Sequence, residues 1–247
     1  MLITIWGRDG SGKSTLADYL GSLLARKNLT AVIDTDLTQP TLPIRLPGTR
    51  FVRENSMGRA VSGTGTIEVK RYLHQHPRQE GLFFTGLLNG DDYMAYEIGL
   101  DAETTANLFV KNCLEVVDHV ILDCSGQRTD PFVPVGLKES DHILVLLTPD
   151  LQGICWWKAV EPLLRQMNVL DKVWPILSIV QKHHQDSWVQ EGIELNFKAV
   201  LPFTSELNIL RCSGKPIEDL ITGSGRDWNK GLRRLYEDLI RTGSDES

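Results

Sequence analysis

Gly7-Arg8-Asp9-Gly10-Ser11-Gly12-Lys13-Ser14 fits the pattern G-x-x-x-x-G-K-[ST], and the rest of the chain is read around what this loop would hold. Leu2-Ile3-Thr4-Ile5-Trp6 runs into the loop as a strand, and Ser14-Thr15-Leu16-Ala17-Asp18-Tyr19-Leu20 leaves it as a helix. Glycines at this spacing let successive N–H groups and the positive end of the helix dipole converge on one anion. Lys13 then reaches the β- and γ-phosphates of a nucleotide, and Ser14 offers its hydroxyl to Mg²⁺. With strand and helix on the correct sides, nucleotide binding is the strongest inference the chain supports. Hydrolysis is a separate claim that needs further residues.

The 247 residues suit one large α/β domain spanning 1–247 and are short for two full ones. Lys plus Arg number 26 against 32 Asp plus Glu, a formal charge of −6. That balance disfavours broad adhesion to DNA phosphates or anionic lipid and leaves room for a local basic patch. Cys113, Cys124, Cys155 and Cys212 lack C-x-x-C or C-x-C spacing, so neither a zinc site nor a disulfide framework is expected; the thiols read as buried and reduced. The first strand begins at the N-terminus, which leaves no room for a signal peptide. No apolar run approaches the roughly 18 residues that span a bilayer. The expected location is therefore the cytoplasm.

Along the chain, Gly21 interrupts the first helix and Asn28 ends it. Thr30 to Asp34 reads as a buried strand that delivers Asp34-Thr35-Asp36 to the sheet's carboxyl edge, where ligands of open α/β sheets collect. Pro40, Pro43 and Pro47 predict a non-helical loop. Ile67 to His74 has helical spacing, Gly81 to Thr85 looks like a strand, and Asn89 to Gly99 is acidic and turn-rich with no clear place in the sheet. A helix over Thr104 to Val117, with Leu108, Cys113 and Val116 or Val117 inward, feeds the strand His119 to Asp123. Asp123, followed by Gly126, has the form of a Walker B element that supports the Mg²⁺ water shell.

Ile143 to Leu147 is a further strand ending in the turn Thr148-Pro149-Asp150. A helix over Gly153 to Met167, a strand over Val173 to Val180 and a short strand over Phe197 to Pro202 follow. Trp228 to Ile240 is amphipathic, with Trp228, Leu232, Leu235 and Leu239 on one face, and reads as core packing rather than membrane docking. Lys230, Arg233, Arg234 and Arg241 fall on its solvated face. Strands alternating with helices predict a doubly wound, mainly parallel β-sheet flanked by helices, the P-loop NTPase fold, with right-handed crossovers.

Taken together, the N-terminal P-loop, Ile33-Asp34-Thr35-Asp36, Asp123 with Gly126, Leu147-Thr148-Pro149-Asp150, and Leu201-Pro202 followed by Gly214-Lys215-Pro216-Ile217 resemble the MinD/ParA family of P-loop ATPases from Met1 to about Ile240. The size and the segment around Ser56-Met57-Gly58-Arg59 are similar to the TadZ/CpaE group of pilus and secretion assembly proteins. The resemblance implies an ATP- and Mg²⁺-dependent homodimeric switch with slow hydrolysis. Such a switch positions a septum, plasmid, pilus or secretion apparatus through a protein partner that recruits it to the inner membrane face.

By the same resemblance Gly7, Asp9, Gly10, Ser11, Gly12, Lys13, Ser14 and Thr15 cradle ATP. Arg8 stands where the family has a lysine that reaches the partner subunit's phosphates, and arginine keeps that charge in a phosphate-matching fork. Asp9 replaces a usual glycine and brings a carboxylate close to anions, a departure that bears on the hydrolysis rate. Asp36 would orient the attacking water, and Asp34 and Asp123 would support the Mg²⁺ shell beside Ser14. Gln181 would read adenine where the family has asparagine, with Pro202 and Phe203 as the other wall of the base pocket. Three other functions share the P-loop. A small-molecule or nucleotide kinase would want an Arg-rich lid, a metallochaperone ATPase would want paired cysteines, and neither is visible; a nucleotide-binding scaffold with little hydrolysis needs neither.

Overall fold

The strand that enters the glycine loop, β1 (Leu2–Gly7), is buried along its whole length, as expected of an apolar run at the centre of a two-sided sheet. A computed structural model describes the chain apart from residues 40, 63–66, 89–100, 128, 182–183, 185, 194, 214–219 and 246–247, and apart from the side chains of 186–188, 190, 211–213 and 243–245. Adding β2 (Thr30–Asp34), β3 (His74–His76), β4 (Gln79–Thr85), β5 (His119–Asp123), β6 (His142–Leu147), β7 (Val173–Val180) and β8 (Ala199–Pro202) gives an eight-stranded sheet of order β3-β4-β2-β5-β1-β6-β7-β8. The doubly wound, mainly parallel architecture is the expected one. The unplaced Asn89–Gly99 segment, Pro40 and the Gly214-Lys215-Pro216-Ile217 motif lie outside the described residues.

The chain divides into two compact units. The first contains Met1–Thr4 and Gly21–Asp141. In it β2 pairs in parallel with β4 and with β5, in a register that sets Asp34 opposite Asp123, and β3 adds an antiparallel edge to β4. Four local readings are corrected in this unit. Gly21 does not interrupt α1 (Lys13–Leu24): a Cβ there would lie 2.7 Å from Val32 Cγ2, so the glycine lets helix and sheet approach. Pro43 does not prevent a helix, because it occupies the first turn of α2 (Leu42–Arg45), where its missing N–H has no intrahelical acceptor in any case.

Ile67 to His74 is not helical either. A 3₁₀ turn at Val69–Arg71 gives way to β3, because pairing of His74 with Phe84 outweighs the local periodicity. In α4 (Ala102–Leu114) the inward stripe is Ala106, Phe109, Val110 and Cys113, while Leu108 faces outward. Phe109 sits 6.3 Å from Phe132 at the start of α5 (Phe132–Glu139), ring edge to ring face. A short α3 (Met57–Ser62) completes the helices of this unit among the described residues.

The second unit contains Ile5–Leu20 and His142–Ser247. Here β6, β7 and β8 run parallel, with α6 (Leu151–Gln166), α7 (Asp186–Ile193), α8 (Ser205–Ser213) and α9 (Gly223–Asp245) between and beyond them. Trp228, Leu232, Leu235 and Leu239 of α9 are all buried, and Tyr19 meets Trp228 edge-on at 5.6 Å, so this face packs into the unit's core. Cys113 and Cys124 are buried free thiols, but Cys155 is exposed on α6, which corrects the expectation for that residue.

Candidate nucleotide site

Between the end of β1 at Gly7 and the start of α1 at Lys13, the chain turns through Arg8-Asp9-Gly10-Ser11-Gly12. Gly10 and Gly12 have φ values of +76° and +89°, a left-handed backbone that only glycine adopts without steric cost. Ser11 between them is fully buried, and its Oγ has no hydrogen-bond partner among the described residues. An orphaned buried hydroxyl inside a glycine turn at a helix N-terminus fits the oxygen of a bound phosphate. The turn is held from below: Ser178 of β7 donates its hydroxyl to the Ser11 carbonyl at 2.7 Å, with the Leu147 carbonyl 3.3 Å away.

The charged residues of the loop are each engaged. Lys13 is 8% exposed and donates to the Arg8 carbonyl at 3.0 Å, with Asp9 Oδ1 at 3.5 Å. The Asp9 side chain is 84% exposed, so its pairing with Lys13 is solvent-screened. Arg8 donates to Thr148 Oγ1 at 3.1 Å and lies 3.3 Å from both Asp150 carboxylate oxygens. Asp150 also caps α6, accepting from the Gly153 N–H at 2.7 Å. Ser14 and Thr15 are half-buried on the first turn of α1.

At the carboxyl ends of β7 and β8, Val180 pairs with Pro202, and the Phe203 N–H donates to the Val180 carbonyl at 2.8 Å. Gln181, Pro202 and Phe203 are thereby brought together, with Gln181 and Phe203 exposed. The strand is bulged between Ser178 and Val180, and Ile179 there has φ of +60°, a strained conformation for a β-branched residue.

In the other unit, the edge formed by β2 and β5 carries the remaining sequence candidates. Asp34 accepts from the Thr41 hydroxyl and, at 3.2 Å, from the Asp36 N–H. Asp123 is ion-paired with Arg45, both side chains being almost fully buried. Burial pushes the Asp34 carboxyl above the ordinary range; Arg45 opposes this and Asp123 adds to it. Asp36 is half-buried, and its Oδ1 accepts from the Thr38 N–H at 2.8 Å, the Thr38 hydroxyl at 2.7 Å and the Gln39 N–H at 3.0 Å, an Asx-type turn.

Two residues of this edge were not singled out by sequence. Arg45 lay in a proline-rich stretch with no periodic signal. Asp130 is buried, and its Oδ2 accepts from the Thr35 hydroxyl and from the Ser125 N–H and hydroxyl at 3.3 and 2.9 Å, while its Oδ1 accepts from the Phe132 N–H at 2.9 Å. It thus ties the loop after β2 to the loop after β5. Ser178 did leave a trace, as a hydroxyl inside the apolar strand Val173–Val180.

The loop fits a nucleotide phosphate, and Ser14 offers a hydroxyl where Mg²⁺ would be ligated. Asp34 and Asp123 as arranged suit a different cation, since Arg45 occupies one and Thr41 the other. Among the described residues no group of three or more His, Cys, Asp or Glu side chains comes together to hold a metal.

No family model matches the chain, and no curated protein does. Solved structures do match. The septum site-determining protein MinD complexed with Mg-ADP from Pyrococcus horikoshii aligns with a TM-score of 0.78 at 15% identity, over 100% of this chain and 98% of that one. The MinC:MinD cell division protein complex of Aquifex aeolicus gives 0.75 at 17% identity over 95% of each chain. A putative plasmid partition protein from Borrelia burgdorferi bound to AMPPNP gives 0.76 at 15% identity, over 96% of this chain and 98% of that one. At such identities the likeness is one of fold: the chain has the P-loop NTPase fold of MinD/ParA-type ATPases.

Proposed function

We propose that this chain is a single-domain, MinD/ParA-type P-loop ATPase, an ATP-gated dimeric switch that positions or assembles a larger cellular object through a protein partner. The observation that carries the reading is the loop from Gly7 to Thr15. Left-handed Gly10 and Gly12, a buried Lys13 and an unpartnered buried Ser11 hydroxyl stand at the head of a helix. The fold around them is shared over nearly the whole chain with structures described as MinD and as a plasmid partition protein. That two of these carry Mg-ADP and AMPPNP supports ATP and Mg²⁺ as the ligands here.

In this reading backbone N–H groups of Gly10 to Lys13 would hold the phosphates, Lys13 would exchange the Arg8 carbonyl for phosphate oxygens, and Ser14 would hold Mg²⁺, whose charge would offset that of the phosphates. Gln181, Pro202 and Phe203 line the base. Arg8 leaves Asp150 to reach the partner subunit's nucleotide, and Asp36 leaves its turn to orient water. For Arg8 the move exchanges one charge-assisted contact for another, whereas Asp36 gives up three hydrogen bonds of its own loop. Among the described residues no helix is long and apolar enough to cross a membrane, so in this reading recruitment to a membrane face depends on the partner.

Light scattering of the protein with Mg²⁺ and no nucleotide, ADP or ATP, with phosphate release followed in the same samples, tests this function. A dimer that forms only with ATP and decays as phosphate appears is expected; a monomer in every state overturns it. A second reading, a nucleotide-binding scaffold with little hydrolysis, is favoured by the three hydrogen bonds that hold Asp36 in its own loop. It predicts the ATP-dependent dimer without phosphate release.

A further inference from the structure

Asp34 and Asp123 stand opposite each other in the parallel register of β2 and β5, and both are buried. Two carboxylates so placed repel strongly in a medium of low polarity, and the pair needs a cation to remain ionised. The chain supplies one from α2. Arg45 pairs through Nη2 with Asp123, the two side chains being 1% and 2% exposed. Its guanidinium carbon lies 5.8 Å from the centre of the buried Phe84 ring, an aromatic face that further favours a positive charge. Thr41, whose carbonyl accepts from the Arg45 N–H at 3.2 Å, donates its hydroxyl to Asp34. One short segment, Thr41 to Arg45, therefore engages both aspartates.

We propose that Arg45 is a positioning residue: it is the permanent counter-ion of the Asp34–Asp123 pair, in the place that the sequence reading gives to the Mg²⁺ water shell. The inference deepens the proposed function at these two aspartates and rests on it only for their assignment. A guanidinium cannot lose its proton under physiological conditions, so the pair stays organised without a divalent cation. A cation that approaches these carboxylates must displace Arg45, and with it the Thr41–Arg45 segment.

The test is thermal unfolding of the full chain without nucleotide, in the presence and absence of millimolar Mg²⁺, with Na⁺ at equal ionic strength as control. The wild-type midpoint is expected to be indifferent to Mg²⁺. Arg45→Met is expected to lower it by roughly 10 °C, as loss of one partner of a buried pair does. Mg²⁺ but not Na⁺ restores several degrees of that loss, and adding Asp123→Asn restores more than half. A wild type that gains as much from Mg²⁺ as Arg45→Met, or a double variant no more stable than the single one, overturns the proposal. Should Arg45→Met not fold, folding of Arg45→Met/Asp123→Asn supports the proposal and its failure overturns it. Because no nucleotide is present, loss of ATP binding in a separate titration would sink the proposed function while leaving this result standing.

Discussion

Lys13 and Asp130 are both buried ionisable side chains, one in the glycine turn and one at the β2–β5 edge. Lys13 is the buried cation of the glycine turn, and no other lysine or arginine of the loop is free of an acidic partner closer than its own. Lys13→Ala is expected to weaken ATP binding by roughly 30-fold or more, the worth of a charge-assisted contact, in a titration with a fluorescent ATP analogue. Affinity within a few-fold of wild type would remove the P-loop from the mechanism. Burial pushes the Asp130 carboxyl up to about 6 from 3.8, against four hydrogen bonds that pull it down. The native state therefore holds this proton in a range where the unfolded chain has released it. Its contribution to stability is full below pH 4 and is lost as pH rises through about 6, on the order of 2–3 kcal/mol. Urea unfolding of Asp130→Asn at pH 4 and pH 7 should show a correspondingly smaller fall than wild type; parallel behaviour of the two proteins would place the titration elsewhere.

At the scale of the element, β7 joins strain to support. Ser178 donates to the P-loop carbonyl, and one residue later Ile179 takes a left-handed backbone as the strand bulges toward Val180. Such a conformation costs about 1–2 kcal/mol for a non-glycine residue and persists only where its surroundings enforce it. Ile179→Gly relieves that strain while losing a half-buried side chain, so its stability should lie within about 1 kcal/mol of wild type. Ile176→Ala, in the fully buried part of the same strand, should cost about 2–5 kcal/mol in the same denaturant series. A loss at Ile179 as large as that at Ile176 would mean that the bulge is not strained. Elements of this kind were legible where apolar runs were continuous, as in β1, β2, β5, β6 and β7. They were not legible at Ile67–His74, where strand pairing overrode the local pattern, or at α2, where proline concealed a first helical turn.

At the scale of the whole molecule, the proposed ATP-dependent dimer turns on where Arg8 can reach. Arg8 is tied to Thr148 and Asp150 of its own chain, so its reach to a partner subunit would require exchange of an ion pair that is only part-buried. Arg8→Ala is expected to leave nucleotide affinity unchanged and to weaken the ATP-dependent dimer by about 10-fold or more, measured by sedimentation. An unaltered dimer would confine Arg8 to the Asp150 contact. Asp36→Ala is expected to bind ATP normally, stall phosphate release and accumulate the dimer. Unchanged turnover would leave Asp36 as the cap of its own loop.

The glycine turn was legible because it is local chemistry: eight consecutive residues specify the left-handed glycines, the lysine and the hydroxyl, and the flanking strand and helix follow from short-range patterns. The buried apolar strands and the packing face of α9 were legible for the same reason, since period and composition are properties of neighbouring residues. The partners of the polar core were not. Arg45 finds Asp123 across 78 residues, Thr35 finds Asp130 across 95, and Ser178 finds Ser11 across 167. Nothing in the spacing of those residues pairs them with one another. Their roles arise when parallel strands bring sheet edges into register and burial removes the water that would otherwise satisfy them.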